Sequence, residues 1–206
     1  MVSSDSGSGA TAASVPTGAR PSAARARILA TANRLFYEES IRSVGVHRLI
    51  KEAAVTRVTL YRHFPSKDDL VVTYLEDRAA AGEHEIEALL VEHADDPRSA
   101  LRAMAEMVSA DGFAGEHRGC AFINATAEEF EPDHPARAVA GRHRAWIIRT
   151  TADLLRQMGH PTPDPTAQVL MMLRTGAVVG ASLDDPTGMV ENFLRAWDSL
   201  VAVGGR

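Results

Sequence analysis

Arg57 and Arg62 lie five positions apart in the stretch 56–70, TRVTLYRHFPSKDDL. A planar guanidinium matches the O6 and N7 acceptors of guanine, so two of them on one short helix suit the reading of base edges in a major groove. Val58 offers an apolar contact beside them. Thr56, Thr59, Tyr61, His63 and Lys67 supply hydroxyl, imidazole and ammonium groups of the kind that hold phosphates, and Arg48 adds a cation a little upstream. The chemistry this pattern suggests is recognition of double-stranded DNA.

Such side chains need elements that aim them. The Thr56 hydroxyl caps a helix expected over 57–62, and Ser66 caps another that begins at Lys67, Asp68 and Asp69. Upstream, residues 46–53 (VHRLIKEA) place Val46, Leu49, Ile50 and Ala53 on one helical face and His47, Arg48 and Lys51 on the other. A helix, a brief turn at Ala54 and Val55, and a short basic helix make the pattern of a helix-turn-helix, whose second helix enters the groove.

Residues 27–70, RILATANRLFYEESIRSVGVHRLIKEAAVTRVTLYRHFPSKDDL, resemble the N-terminal DNA-binding domain of the TetR/AcrR family of one-component repressors. The matching elements are the Ile28, Leu29, Ala32, Leu35, Phe36 stripe, the helix and turn over 49–56, the run Thr59-Leu60-Tyr61-x-His63-Phe64, and Ser66-Lys67-Asp68-x-Leu70. Four positions depart from the family pattern. Ser40 stands where a glycine usually ends the first helix, Gly45-Val46 replaces the usual hydroxyl caps, Ile50 replaces an alanine, and Ala54 replaces the turn glycine. An alanine held at positive φ costs about 1 kcal/mol, which a packed three-helix core can absorb. The resemblance implies a homodimer on a palindromic operator, a small-molecule effector in the body, and a connecting helix that moves the two heads out of register.

Charge is divided along the chain. Residues 20–67 hold ten Lys and Arg against three Glu, a net +7, whereas 68–206 hold twelve against 23 acids, a net −11; Asp5 completes the overall −5. A basic head on an acidic body fits binding of nucleic acid through one end. The single cysteine, Cys120, rules out an intrachain disulfide and fits a reducing compartment. No apolar run approaches the ~20 residues a membrane span needs, and the N-terminal stretch lacks a basic segment followed by an apolar one, so no membrane partner and a cytoplasmic location are expected.

The expected architecture is all-α: a tail over 1–20, rich in Ser, Gly, Ala and Thr and expected to be disordered, a three-helix DNA-binding head over 21–66, and a helical effector-binding and dimerisation body over 67–206. Arg20, Arg25 and Arg27 at the end of the tail could reach a minor groove. The body helices are expected over 66–92, from Asp96-Pro97 to Gly112, over 120–130, from His134-Pro135 to Gly159, from Asp164-Pro165 to about Leu183, and from Pro186 to about Val203. The stretch 169–181 is apolar nearly all round, and the last helix carries Val190, Phe193, Leu194, Trp197, Leu200 and Val201 on one side. Helices at about 165–183 and 187–203 are therefore the pair expected to meet their own copies across a two-fold axis.

A mostly apolar pocket between helices is expected to draw on Met104, Val108, Cys120, Phe122, Asn124, Trp146, Met171, Met172 and Thr175. Cys120 follows Arg118 and Gly119 at the start of a short helix, a setting that suits a thiol sensor of oxidants or electrophiles. The chain lacks HExxH, GxxxxGK and GxGxxG, and no nucleophile turn accompanies Cys120 with His134 or His143, so neither an enzyme, a metal site nor a cofactor is expected. The reading is a DNA-binding regulator released by a small, largely apolar effector. Its alternatives are a regulator switched at Cys120, or a ligand-binding module whose head no longer reads DNA.

Overall fold

The computed structural model describes residues 22–112, 119–128, 131, 133–181, 183 and 186–202. The tail over 1–20, with its Arg20, lies outside them, as do His117 and Arg118. The described residues form nine helices and no strand.

The head is α1 (Ala23–Glu39), α2 (Val46–Glu52) and α3 (Arg57–His63). Helix α1 starts because the Ser22 hydroxyl accepts the Arg25 N–H, and α3 because the Thr56 hydroxyl accepts the Thr59 N–H, each such cap being worth about 1 kcal/mol. Gly45 at the start of α2 has no side chain to offer, as the departure from the family's hydroxyl caps implies. Ile28, Leu35, Leu49 and Leu60 are all at most 1% exposed and fill the space between the three helices. Truncating any of them to alanine removes about 2 to 5 kcal/mol.

Helix α4 (Lys67–Glu92) joins two cores. Ser66 opens it with a capping box, its hydroxyl accepting the Asp69 N–H while the Asp69 carboxylate accepts the Ser66 N–H. Leu70, Val71, Tyr74 and Leu75 in its first half pack with the head, and Ile86 in its second half packs with the body. The body adds α5 (Pro97–Gly112), α6 (Ala121–Ala127), α7 (Pro135–Gln157), α8 (Pro163–Gly180) and α9 (Pro186–Ala202). Leu101, Leu155, Leu170, Phe193 and Trp197 lie at its centre. Ala121 and Ala125 of α6 and Ala136 and Val139 of α7 belong to the head's core instead. The boundary expected at residue 66 is thus a joint in the chain, while the packing of the head continues into α4, α6 and α7.

Most helix limits follow the expected punctuation. Helix α8 begins at Pro163, ahead of the expected Asp164-Pro165, because a proline suits the first helical position, and it stops at Gly180, short of Leu183. Helix α6 is shorter than the expected 120–130. Helix α7 ends in a tight reversal in which the Gly159 N–H reaches the Arg156 carbonyl and the His160 N–H the Leu155 carbonyl, with Gly159 at φ +71. Gly180 marks the close approach of α8 to α9, since a Cβ there would lie 2.7 Å from the Met189 methyl. No described helix is long and apolar enough to cross a membrane.

Candidate functional site

The turn between α2 and α3 carries its alanine in the left-handed region: Ala54 has φ +50, and Ser40, at the end of α1, has φ +89. Both are positions where the family pattern has glycine. The head therefore keeps the expected backbone path with two strained residues in it.

Helix α3 presents an open face. Val58 is 76% exposed although it is apolar, and Arg57 and Arg62 on either side of it are exposed. Arg57 lies over the Tyr61 ring at 5.6 Å, which orients its fork without neutralising it. The three carboxylates of the head are all spent elsewhere. Arg34 pairs with Glu38 and Glu52, and Arg48 pairs with Glu39 and Glu52. Among the described residues Arg57 and Arg62 take part in no ion pair, so the positive charge of α3 is left unneutralised.

Three of the side chains expected at phosphates are engaged by other groups of the protein. Arg48 holds its two glutamates, and the His63 ring meets the Ser22 hydroxyl at 3.0 Å, fixing the end of α3 to the start of α1. Lys67 turns inward, donating to the Ile41 carbonyl at 2.5 Å with its ammonium 5.9 Å from the centre of the Phe36 ring. Burial lowers its pKa from the ordinary value, an effect that Glu128 and Asp68 oppose. Thr56 and Thr59 share a hydroxyl contact at 2.8 Å at the front of α3, with Tyr61 half-buried behind it.

The body contains a cavity of about 420 Å³ between α6, α7 and α8. Cys120, Phe122, Met171 and Thr175, all expected in a pocket, line it. A smaller cavity of about 130 Å³ takes in Met104 and Val108, and the two share His143, Ile147 and Arg174. Asn124, Trp146 and Met172 line neither, and Met172 is 63% exposed on α8. A wider depression of about 610 Å³ between α5 and α9 is a surface feature crossed by the Arg102–Asp198 ion pair.

The residues that sequence reasoning missed are the polar ones. His143 is 8% exposed, stacked on Phe122 at 4.5 Å, and its Nδ1 lies 3.0 Å from the Glu83 carboxylate of α4. Arg137, Arg144 and Arg174 stand in the wall of the larger cavity. The signal was present on α7, where Arg137, Ala140-Gly141, Arg144 and Ile147 recur at helical spacing and leave small residues between the arginines. Among the described residues no cluster of three His, Cys, Asp or Glu could hold a metal ion.

Both cavity walls reach the head. The Glu128 carboxylate, just after α6, accepts the Ile41 N–H at 3.1 Å and the Arg42 N–H at 2.7 Å, and the Tyr37 hydroxyl donates to the Gly119 carbonyl at 3.0 Å. On the other route, α4 is fastened to α1 through Asn33, which donates to Asp77 and accepts from Arg78, each at 3.0 Å. Short polar contacts thus link both α6 and α4 to the head.

The family model for bacterial regulatory proteins of the tetR family matches residues 28–73. The chain is 28% identical over 163 residues to an uncharacterized HTH-type transcriptional regulator of Mycobacterium tuberculosis, a match covering 69% of this chain and 80% of that one. Among solved structures it is similar to SCO4454, a TetR-family transcriptional regulator from Streptomyces coelicolor. The two are 38% identical with a TM-score of 0.83, over 89% of this chain and 96% of that one. The reduced form of E. coli NemR, at 23% identity, shares the fold with a TM-score of 0.75 over 86% of this chain and 97% of that one.

Proposed function

The chain belongs to the TetR family and is a DNA-binding transcriptional regulator rather than an enzyme, and from that premise we propose that it is a repressor released from a palindromic operator by a small molecule in the adjoining cavities of the body. The observation that carries the DNA half of this reading is the open face of α3. Val58 stays exposed between two arginines that no carboxylate neutralises, while the other head arginines with acidic neighbours are paired. Arg57 and Arg62 then read guanines, Val58 meets an apolar base edge, and Thr56, Thr59 and Tyr61 hold phosphates. Arg48, His63 and Lys67 support the head from within in the free protein and reach phosphates only if their internal contacts give way.

One seven-residue recognition helix makes few contacts, so a second copy is needed for specificity. Helix α8 supports that reading. Val169, Met172 and Val179 remain exposed at 41%, 63% and 43%, at helical spacing along one side with Gly176 between them. A second copy of α8 and α9 covering this stripe would make a four-helix interface and hold two heads about 34 Å apart on successive turns of the duplex.

Release follows from what the cavity walls touch. A ligand between Phe122 and Met171 that fills the cavity presses on α6 and the His143 ring. Helix α6 holds the head through Glu128, and His143 holds α4 through Glu83. The alternative, a sensor switched at Cys120, has in its favour the half-buried place of that residue in the cavity wall. Replacing Cys120 by serine distinguishes the two. An effector site keeps its response, whereas a thiol sensor loses its response to oxidant with untreated DNA binding intact.

The test of the main reading is selection of bound duplexes from a random pool by the purified chain at a stated salt concentration. Enrichment of a palindrome with half-sites about one turn apart is expected. Enrichment of no sequence at low salt would sink the reading and leave a ligand-binding module with a silent head.

A further inference from the structure

We propose that the adjoining cavities of the body select an organic carboxylate with an apolar body, its charged end at Arg174 and its hydrocarbon end against Phe122 and Met171. This rests on the reading of those cavities as the effector site and narrows it from a largely apolar ligand to an anionic amphipath.

Charge is the first ground. Residues 68–206 carry a net −11, yet the wall of the larger cavity contains Arg137, Arg144 and Arg174 and no Asp or Glu. An acidic body that gathers three guanidiniums around one apolar hollow focuses a positive potential there.

Arg174 is the second. It is half-buried, lines both cavities, and has no hydrogen-bond or ion-pair partner among the described residues. The neighbouring basic side chains are differently placed, with Arg144 donating to the Thr175 hydroxyl at 3.0 Å and His143 facing Glu83. A half-buried guanidinium without a counter-ion is costly, and a carboxylate fits its fork in two hydrogen bonds.

A third, separate observation points to the same end of the site. Trp197 is 4% exposed, its indole N–H has no acceptor, and it lines the smaller cavity with Arg174. Buried donors are nearly always satisfied, so the Trp197 N–H is short of an acceptor, even though Glu85 also lines the smaller cavity. The charged end of the ligand therefore belongs at Arg174, where the two cavities border each other, on the side of the larger one, whose wall has no carboxylate, and its apolar remainder lies along Phe122, Ile123, Ile147 and Met171.

The chain has two tryptophans, and Trp146 lines neither cavity, so Trp146→Phe leaves Trp197 as a fluorescent reporter inside the site. Decanoate, decanol and decylamine share one chain length and differ in charge. Titrated into the full-length Trp146→Phe protein, decanoate is expected to change Trp197 emission at a concentration at least tenfold below that for decanol, with decylamine weakest. Adding Arg174→Gln should weaken decanoate about tenfold or more and leave decanol unchanged, the size of a lost charge-assisted hydrogen bond. Arg174→Lys should fall between them.

Equal binding of decanoate and decanol, unaltered by Arg174→Gln, would overturn the anionic class while leaving an apolar effector cavity in place. Preference for decylamine would overturn it too. Binding of none of the three would remove both this proposal and the effector reading of the cavity. The comparison of the three probes on the Trp146→Phe protein needs no change at Arg174, so it decides the matter even if the Arg174 variants fold poorly.

Discussion

Glu128 holds Ile41 across 87 residues of sequence: its carboxylate accepts the Ile41 N–H at 3.1 Å, and with its second oxygen it accepts the next N–H, of Arg42, at 2.7 Å. The carbonyl of the same Ile41 receives the Lys67 ammonium. The segment that follows α1, and that sets the approach of α2 and α3, is thus clasped by one residue from the cavity side of the molecule and one from the start of α4.

Replacing Glu128 by alanine should free those two amides without unfolding the head, whose core lies on the other side of Ile41. Hydrogen bonds to a charged group are each worth about 1.5 to 3 kcal/mol, so amide exchange at Ile41 and Arg42 should quicken at least tenfold while that at Leu49 and Leu60 stays slow. Exchange at Ile41 and Arg42 as slow as in the parent would show that the clasp is dispensable and that α6 does not transmit through it.

The fate of Lys67 separates a supporting lysine from one that touches DNA. Because its ammonium is turned onto the Ile41 carbonyl, Lys67→Met should lower stability by about 1 kcal/mol and leave the dependence of DNA affinity on salt nearly unchanged. Arg57→Ala and Arg62→Ala should behave in the opposite way, keeping stability and each losing about 1 to 3 kcal/mol of discrimination against the wrong base. A salt slope reduced by about one unit in Lys67→Met would mean that the lysine leaves its internal site to reach a phosphate.

What could be read in the sequence and what could not divide along a physical line. Helix limits were legible because they are set locally: Ser66, Asp96-Pro97 and His134-Pro135 each open a helix where their side chains or rings dictate. The open face of α3 was legible for the same reason, since a seven-residue helix with one buried leucine leaves little choice of side. The partners of Arg48, His63 and Lys67 were not, because Glu39, Ser22 and Ile41 come to them only once α1 is packed. In the cavity, methionines and aromatics were anticipated from size and flexibility. The three arginines were not legible, because only the convergence of α7 and α8 brings them to one cavity wall.

Backbone strain is a testable part of that local legibility. Ser40, at φ +89 and ψ 150, occupies a region that is almost exclusive to glycine, and Ser40→Gly should raise stability by about 1 kcal/mol even though the hydroxyl contact with Ser43 is lost. Ala54, at φ +50, is less strained, and the greater freedom of glycine in the unfolded chain offsets part of the relief, so Ala54→Gly should gain about half as much. Gly45→Ser should add a few tenths of a kcal/mol by supplying the missing cap, for nothing lies within 4 Å of a Cβ there. Thermal unfolding ranks the three, and destabilisation by Ser40→Gly would show that the Ser43 contact outweighs the strain.

Tyr74 joins head and α4 and should give the fold an alkaline limit. It is 1% exposed and meets Phe36 edge-on at 5.5 Å. Burial pushes its phenol up from the ordinary value of 10.0 to about 12, against the opposing pull of Arg78. Below about pH 10 the phenol is neutral in both folded and unfolded chains, so its protonation favours neither. Between about pH 10 and 12 the unfolded chain releases the proton and the folded chain keeps it, so stability falls as pH rises, by roughly 2 to 3 kcal/mol over the whole interval. Tyr74→Phe removes the proton in question. Denaturant unfolding at pH 7 and pH 11 should show a drop in the parent and a distinctly smaller one in the variant, and equal drops would mean that Tyr74 ionises as readily in the folded chain as in the unfolded one.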